Sequence, residues 1–417
     1  IVHLVAISCF VAGFISRVKL LNTGHEECDM TYSARVFFPI ETVTQHHRSA
    51  ISKSYGLYKF VDRRDPRYIK LLRQKQPEQS TDRLLKRDEH CVDNGNTTIV
   101  VYVPGHWGSY DQSRSLGAHG VGLTRSNLKS NHVRQIQQQL LAKGKTIDNI
   151  EKINNFVFDV YAVDFAEQGG AFHGQFLVHQ SEFLASMLKQ LSEDCHTDSD
   201  SEIIVVAHSM GGYVARLTLL EHPELVGLIK NVVTLATPHS NPLYAFDKSI
   251  YDIHRRLTLA LKVQQQQHAE TQQRPLIVSI SGGLRDEMID PSACRVVVAA
   301  AVPKEEKYAW SSSLLRLWPN TPPSTAFRNT KDAPNSVTIL STRLIAMNKA
   351  KASVGAGAAL TKEESIYYKH QQHHLLGMDH RAIVWCHQLL EEVRYIIWAL
   401  VMKEEENQNI GHRLSKE

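Results

Sequence analysis

Apolar residues along this chain gather into short β-branched runs separated by stretches of helical period. Residues 98–103 (TIVVYV), 157–164 (VFDVYAVD), 203–207 (IIVVA), 231–236 (NVVTLA) and 276–281 (LIVSIS) are too short for buried helices and are bounded by polar or turn-forming residues. Each is therefore predicted to be a strand. Residues 175–191 and the stretch after Ser209 (YVARLTLLEH) instead space their apolar side chains three or four apart, the mark of an amphipathic helix, and the polar stretch 126–153 also reads as helical. Strands alternating with helices predict an α/β fold with a mainly parallel sheet and helices on both faces. In such sheets reactive groups collect beyond the carboxyl ends of the strands. Gly105, Ser209, His239 and Asp286 all occupy such ends.

Residues 246–261 carry Phe246, Ile250, Ile253, Leu257 and Leu261 on one helical face. Lying between two sheet strands, this segment is either an ordinary sheet-packing helix or a lid-like helical insertion facing an acyl chain. Gln264 to Gln267 with His268 reads as a polar, low-complexity loop. Residues 304–374 are poorly patterned and are read as an insertion, with one further strand expected at 337–340. The 417 residues exceed the size at which one core stops growing, yet a single decorated α/β domain accommodates them. The expected division is a hydrophobic segment 1–20, an extension 21–97 packing on the main domain, the main domain 98–400 and a polar tail 401–417.

The net charge of +4 is spread along the chain apart from the mixed stretch 70–87, which excludes a nucleic-acid partner. His46 with His47 and His373 with His374 lack carboxylate or thiolate partners at ligand spacing, so no metal is expected. Six cysteines without a CxxC pair exclude a zinc ribbon or thioredoxin motif, and a Cys28–Cys91 bridge is expected. The glycosylation sequon Asn96-Thr97-Thr98 just before the first strong strand is compatible with a lumenal location. Residues 1–15 (IVHLVAISCFVAGFI) are almost wholly apolar before Arg17 and Lys19. The segment is short for a bilayer span, so it is expected to be a signal-peptide core or the latter part of an anchor whose start is missing.

The chemistry is carried by VVAHSMGG at residues 205–212, a strand breaking into a turn with one serine and then into a helix. This is the pattern of a nucleophile elbow in an α/β-hydrolase fold. A serine hydroxyl is a poor nucleophile until it is held at an exposed apex beside a base, and the tight turn leaves no room for bulk around it. Ala207 stands where the usual motif has glycine, the mildest departure, and Gly211 holds the other end. The following helix N-terminus favours negative charge developing near Ser209. His380, late in the chain and in the expected order after serine and acid, is the candidate base, with His239 as a rival. Asp286 is the candidate acid, with Asp290 and Asp379 as alternatives. The oxyanion donors are expected to be the backbone N–H of Met210 and that of His106, with Trp107 as the alternative to His106. No cofactor is required.

Six separated motifs in order resemble the GPI inositol-deacylase family: CDMTY (28–32), VPGHWGSYDQSRSLG (103–117), AHSMGGYVAR (207–216), TLATPH (234–239), SGGLRD (281–286) and MDHRAIVWC (378–386). The resemblance implies an endoplasmic-reticulum membrane protein whose lumenal α/β-hydrolase domain removes the acyl chain from the inositol of GPI anchors, so that anchored proteins leave for the Golgi. Its partners are then the acylated GPI anchor and membrane lipid, and its serine, acid and histidine fall on Ser209, Asp286 and His380. The chain departs from the family in three ways. His106-Trp107 stands where the family usually has Asn-Ala, the 304–374 insertion separates acid from base, and no apolar stretches for further membrane segments follow Trp398. Two other readings stay open: a broader lipase or phospholipase, and a non-catalytic trafficking adaptor of hydrolase fold, which requires a broken triad.

Overall fold

The computed structural model describes residues 30–31, 33–42, 54–68, 84–91, 97–121, 156–195, 203–240, 247–266, 275–282, 286–290, 293–296, 336–340 and 379–414. The expected helix 126–153, the hydrophobic segment 1–20, Asn96 and nearly all of the 304–374 insertion lie outside them.

Eight strands form one sheet in the order β1-β2-β4-β3-β5-β6-β7-β8. They are β1 Arg35–Pro39, β2 Gly56–Asp62, β3 Thr98–Val103, β4 Phe158–Asp164, β5 Ile203–His208, β6 Ile229–Leu235, β7 Leu276–Ser281 and β8 Ser336–Leu340. β2 is antiparallel to both neighbours, and every pairing from β4 to β8 is parallel. The five strands read from the sequence are all present, and β8 is the further strand expected within the insertion.

Alternation along each central strand explains why these strands read as unbroken apolar runs. Ile99, Val101 and Val103 of β3 with Ile203, Val205 and Ala207 of β5 face one core. Val100 and Tyr102 with Ile204 and Val206 face the other. The first core is closed by α2 (Gly174–Asp194), α3 (Gly211–Glu221) and α4 (Lys248–Gln266), and the second by α1 (Arg114–Gly120) and α5 (His387–Leu414). Each buried Val, Leu or Ile contributes roughly 1.5–3 kcal/mol, so the two faces hold the sheet as the middle of three layers. α4 turns Ile250, Ile253 and Leu257 into the core that it shares with α2 and α3, so its apolar stripe packs as a layer helix. α5 continues through the expected tail to Leu414. Among the described residues no helix is long and apolar enough to cross a membrane.

The extension does more than pack on the main domain, because β1 and β2 complete one edge of the sheet. Lys59 of β2 is fully buried and donates to Asp159 Oδ2 (2.8 Å), Tyr161 OH (3.0 Å) and the His90 carbonyl (2.5 Å). Tyr68 donates to the same Asp159 Oδ2 at 2.6 Å, and Arg67 lies 3.2 Å from Oδ1. A buried ammonium is tolerated only when it is paired and hydrogen-bonded in this way. Close by, the structure corrects the expected cysteine pairing: Cys91 is bonded to Cys195, at the end of α2, and Cys28 lies outside the described residues. Spacing along the chain could not reveal a partner supplied by folding.

Candidate active site

β4 lies on one side of β3 and β5 on the other, so the chain reverses its direction of travel across the sheet beside β3. A crevice beyond the strand ends opens at such a reversal, and Ser209 leaves β5 there. Ser209 has φ 51°, a left-handed conformation uncommon for a residue with a side chain. The surroundings hold it. Ser209 N–H donates to Leu235 O at 2.8 Å, and Thr237 Oγ1 donates to Ser209 O at 2.9 Å. Glycine is required nearby for close approach: a Cβ on Gly105 would stand 2.7 Å from Ser209 Cβ, and one on Gly211 would collide with the carbonyls of Val103 and Pro104. The elbow therefore presses directly on the loop that follows β3.

Ser209, His380 and Asp286 form one chain of hydrogen bonds. His380 Nε2 lies 2.9 Å from Ser209 Oγ, and Nδ1 lies 3.0 Å from Asp286 Oδ2. An ionised carboxylate only accepts, so Nδ1 carries the proton and the Nε2 lone pair faces the serine hydroxyl. Asp286 is itself fixed by Met288 N–H at 3.0 Å and Ile289 N–H at 2.9 Å, both on Oδ1. All three residues are buried. A serine proton aimed at an imidazole whose other N–H is held by a carboxylate is the arrangement that activates a hydroxyl for attack.

The alternatives are engaged elsewhere. Asp379 Oδ1 accepts the N–H groups of Arg381 and Ala382, capping the turn that presents His380. Asp290 is exposed, and its carbonyl accepts Ala293 N–H at 2.8 Å. His239 Nδ1 accepts from the buried Arg216 at 3.1 Å, leaving Nε2–H to donate to Thr234 Oγ1 at 2.9 Å. Burial, with Arg216 adjacent, holds His239 well below the usual imidazole range, so it stays neutral and structural. Burial likewise pulls Arg216 down to about 10. Of the oxyanion candidates, Trp107 N–H is already given to Gln168 O at 3.3 Å. The N–H groups of Met210 and His106 donate to no acceptor among the described residues.

One contact was not legible in the sequence. His208 stands beside the serine but turns away from it, and its Nε2–H donates to the backbone carbonyl of His380 at 2.9 Å, with the rings 4.7 Å apart. Burial pulls its pKa down to about 3, helped by the neighbouring His380, so no second positive charge opposes an imidazolium at His380. A histidine immediately before Ser209 is the available signal, but its target depends on where residue 380 returns.

The sequence pattern of the family described as "PGAP1-like alpha/beta domain" matches residues 94–322, more than half of the chain. Relatives named GPI inositol-deacylase include one from Phaeosphaeria nodorum, 30% identical over 234 residues (52% of this chain, 20% of the relative). Another, from Aspergillus fumigatus, is 27% identical over 240 residues (54% and 19%). A GPI inositol-deacylase A from Yarrowia lipolytica is 25% identical over 307 residues (73% and 23%). The chain thus spans about a fifth to a quarter of the length of these curated relatives. With the strand order, the elbow and the family match all on one domain, the chain belongs to the PGAP1-like alpha/beta domain family.

Proposed function

We propose that this chain is a serine ester hydrolase that removes the acyl chain from the inositol of GPI anchors, working on the lumenal side of the endoplasmic-reticulum membrane and so supporting export of anchored proteins. The observation that carries hydrolysis is the Ser209–His380–Asp286 hydrogen-bond chain at a strained elbow. The choice of an inositol-linked acyl ester is supported by the family and by the names of the relatives.

In the proposed reaction Ser209 Oγ attacks the ester carbonyl while His380 Nε2 takes its proton. Asp286 keeps the imidazole in the productive tautomer and stabilises the imidazolium. The oxyanion of the tetrahedral intermediate is met by the Met210 and His106 backbone N–H groups, each contributing about 3–4 kcal/mol of transition-state stabilisation. As the intermediate collapses, His380 returns the proton to the departing inositol oxygen, leaving an acyl-serine. Water, deprotonated by the same imidazole, then releases the fatty acid and regenerates the serine.

The test is a mass-spectrometric assay presenting acylated inositol phospholipid and a glycerolipid to wild type and Ser209→Ala. Release from the acyl-inositol substrate alone, abolished in a folded Ser209→Ala variant, is the expected result. Turnover persisting in that variant overturns the serine assignment, and preferential release from glycerolipid overturns the substrate. Endoglycosidase-sensitive modification at Asn96 is the expected mark of a lumenal domain, and an unmodified Asn96 on a cytosolic, protease-accessible domain overturns the location.

A further inference from the structure

The loop after β3 and the loop after β4 meet beside Ser209 in a cluster of three rings. His106 and Trp107 have ring centroids 4.3 Å apart, His106 and Phe172 4.6 Å, and Trp107 and Phe172 5.6 Å. The cluster begins at the nucleophile, because His106 directly follows Gly105, whose backbone abuts Ser209. Yet it is open to solvent: Trp107 is 63% exposed and Phe172 40%.

This openness is built in. Trp107, Ala166 and Glu167 have φ of 53°, 52° and 53°, left-handed values with a conformational cost that only surrounding contacts sustain. Those contacts join the two loops: Trp107 N–H donates to Gln168 O at 3.3 Å, and Ala171 N–H donates to His106 Nδ1 at 3.1 Å. Gly169 lies beneath the rings, where a Cβ would stand 3.2 Å from His106 Cε1. The chain thus holds a large exposed apolar surface on strained backbone, in loops one of which abuts Ser209 through Gly105.

We propose that His106, Trp107 and Phe172 form the wall of an acyl subsite, taking the hydrocarbon chain of the ester, an inference that rests on the hydrolase reading of Ser209. Chemistry selects this half of the substrate. A polyol needs a hydrogen-bonding partner for each hydroxyl that it desolvates, whereas hydrocarbon needs only apolar contact. The wall carries no charge: Nδ1 of His106 accepts a backbone N–H, and burial lowers the pKa of the ring, which keeps it neutral. Its aromatic faces offer area rather than hydroxyl recognition.

The test is kcat/KM for p-nitrophenyl acetate, butyrate and octanoate, each below its micellar concentration, with wild type, Trp107→Ala and Phe172→Leu. The octanoate-to-acetate ratio is expected to fall roughly tenfold in Trp107→Ala, the equivalent of about two methylenes losing their cover, and to fall less in Phe172→Leu. An unchanged ratio overturns the proposal, and if it comes with an equal loss at every chain length the rings only support the loops. Calorimetric binding of octanoate and acetate to the Ser209→Ala variant separates the two ideas. Octanoate binding tighter than acetate, with the difference lost on adding Trp107→Ala, upholds the wall even if Ser209 proves not to be the nucleophile. Equal binding of the two anions refutes the wall alone.

Discussion

Replacing Asp286 by asparagine tests the hydrogen-bond chain in a way that truncation cannot. Met288 N–H and Ile289 N–H both donate to Oδ1, at 3.0 and 2.9 Å, so in Asp286→Asn the amide oxygen must take that position to keep the loop after β7 in place. The amide NH2 then occupies the Oδ2 position, 3.0 Å from His380 Nδ1. An amide NH2 only donates, so Nδ1 must accept and the ring proton moves to Nε2. Nε2–H faces Ser209 Oγ across 2.9 Å and can no longer take its proton. The geometry survives while the base is lost, and the cost expected from such tautomer reversal is about ten-thousandfold in kcat, roughly 5 kcal/mol of transition-state stabilisation. The assay is p-nitrophenyl acetate hydrolysis alongside thermal melting of the same preparation, with fluorophosphonate labelling of Ser209 as a second rate. Both rates should collapse without a shift in melting. If kcat stays within about tenfold of wild type while the fold is intact, Asp286 does not set the His380 tautomer and the mechanism above is wrong.

Further outcomes follow from the surrounding contacts. His208→Ala removes the donor to the His380 carbonyl, and kcat should fall by up to about a hundredfold with KM little changed, as for a misplaced base. His208→Gln should recover part of that loss, and a change confined to KM would refute the role. The Cys91–Cys195 bridge closes a separation of 104 residues, so the paired Cys91→Ala and Cys195→Ala variant should lose about 4–5 kcal/mol in denaturant unfolding, and an unmoved midpoint refutes this. Lys59→Met strips the buried ammonium from Asp159 and should cost about 3–5 kcal/mol in the same experiment. Burial alone would raise the Asp159 pKa, yet the charges of Lys59 and Arg67 and the hydrogen bonds from Lys59 and Tyr68 hold it below the usual carboxylate range. Its contribution is therefore complete above the unfolded value of about 3.9 and lost as pH falls through the depressed folded value, so Asp159→Asn should flatten the acid limb of stability against pH.

The parts of this fold that were legible in the sequence share a physical cause. β3 to β7 are covered on both faces, so nearly every side chain is apolar and the runs stand out. The elbow is equally local, because strand, serine and helix are contiguous. β1 and β2 are harder to read because β1 is a short edge strand and β2, paired between β1 and β4, has a mixed composition. Lys59 in particular looks like a solvated residue until Asp159, 100 positions later, arrives to neutralise it. The triad acid was ambiguous for a related reason: Asp286, Asp290 and Asp379 differ little in sequence context. Only the folding of the loops decides that one faces His380, one is exposed and one caps the turn beside it. A disulfide between residues 91 and 195 and a histidine reaching a carbonyl 172 positions away are likewise products of the assembled sheet.

The N-terminal extension also contacts the segment that follows His380. Met30 forms an isolated antiparallel bridge with Cys386, two residues past the short helix Ala382–Val384 that follows His380. Thr31 Oγ1 lies 3.2 Å from His119 Nε2 in α1 and 3.4 Å from His387 Nδ1 at the start of α5. Cys386 is itself disulfide-bonded, and Ile383 and Val384 are buried in the core between sheet and α5. The segment that follows His380 is thus held by the core through Ile383 and Val384 and by residues 30–31 at Cys386 and His387, while His208 holds the His380 carbonyl. In the proposed mechanism the imidazole must stay within hydrogen-bond reach of Ser209, and a displacement of about 1 Å is enough to cost a hundredfold in rate. A boundary drawn at residue 98 on the strength of the first unbroken apolar strand would therefore separate the serine from part of what holds its histidine in place.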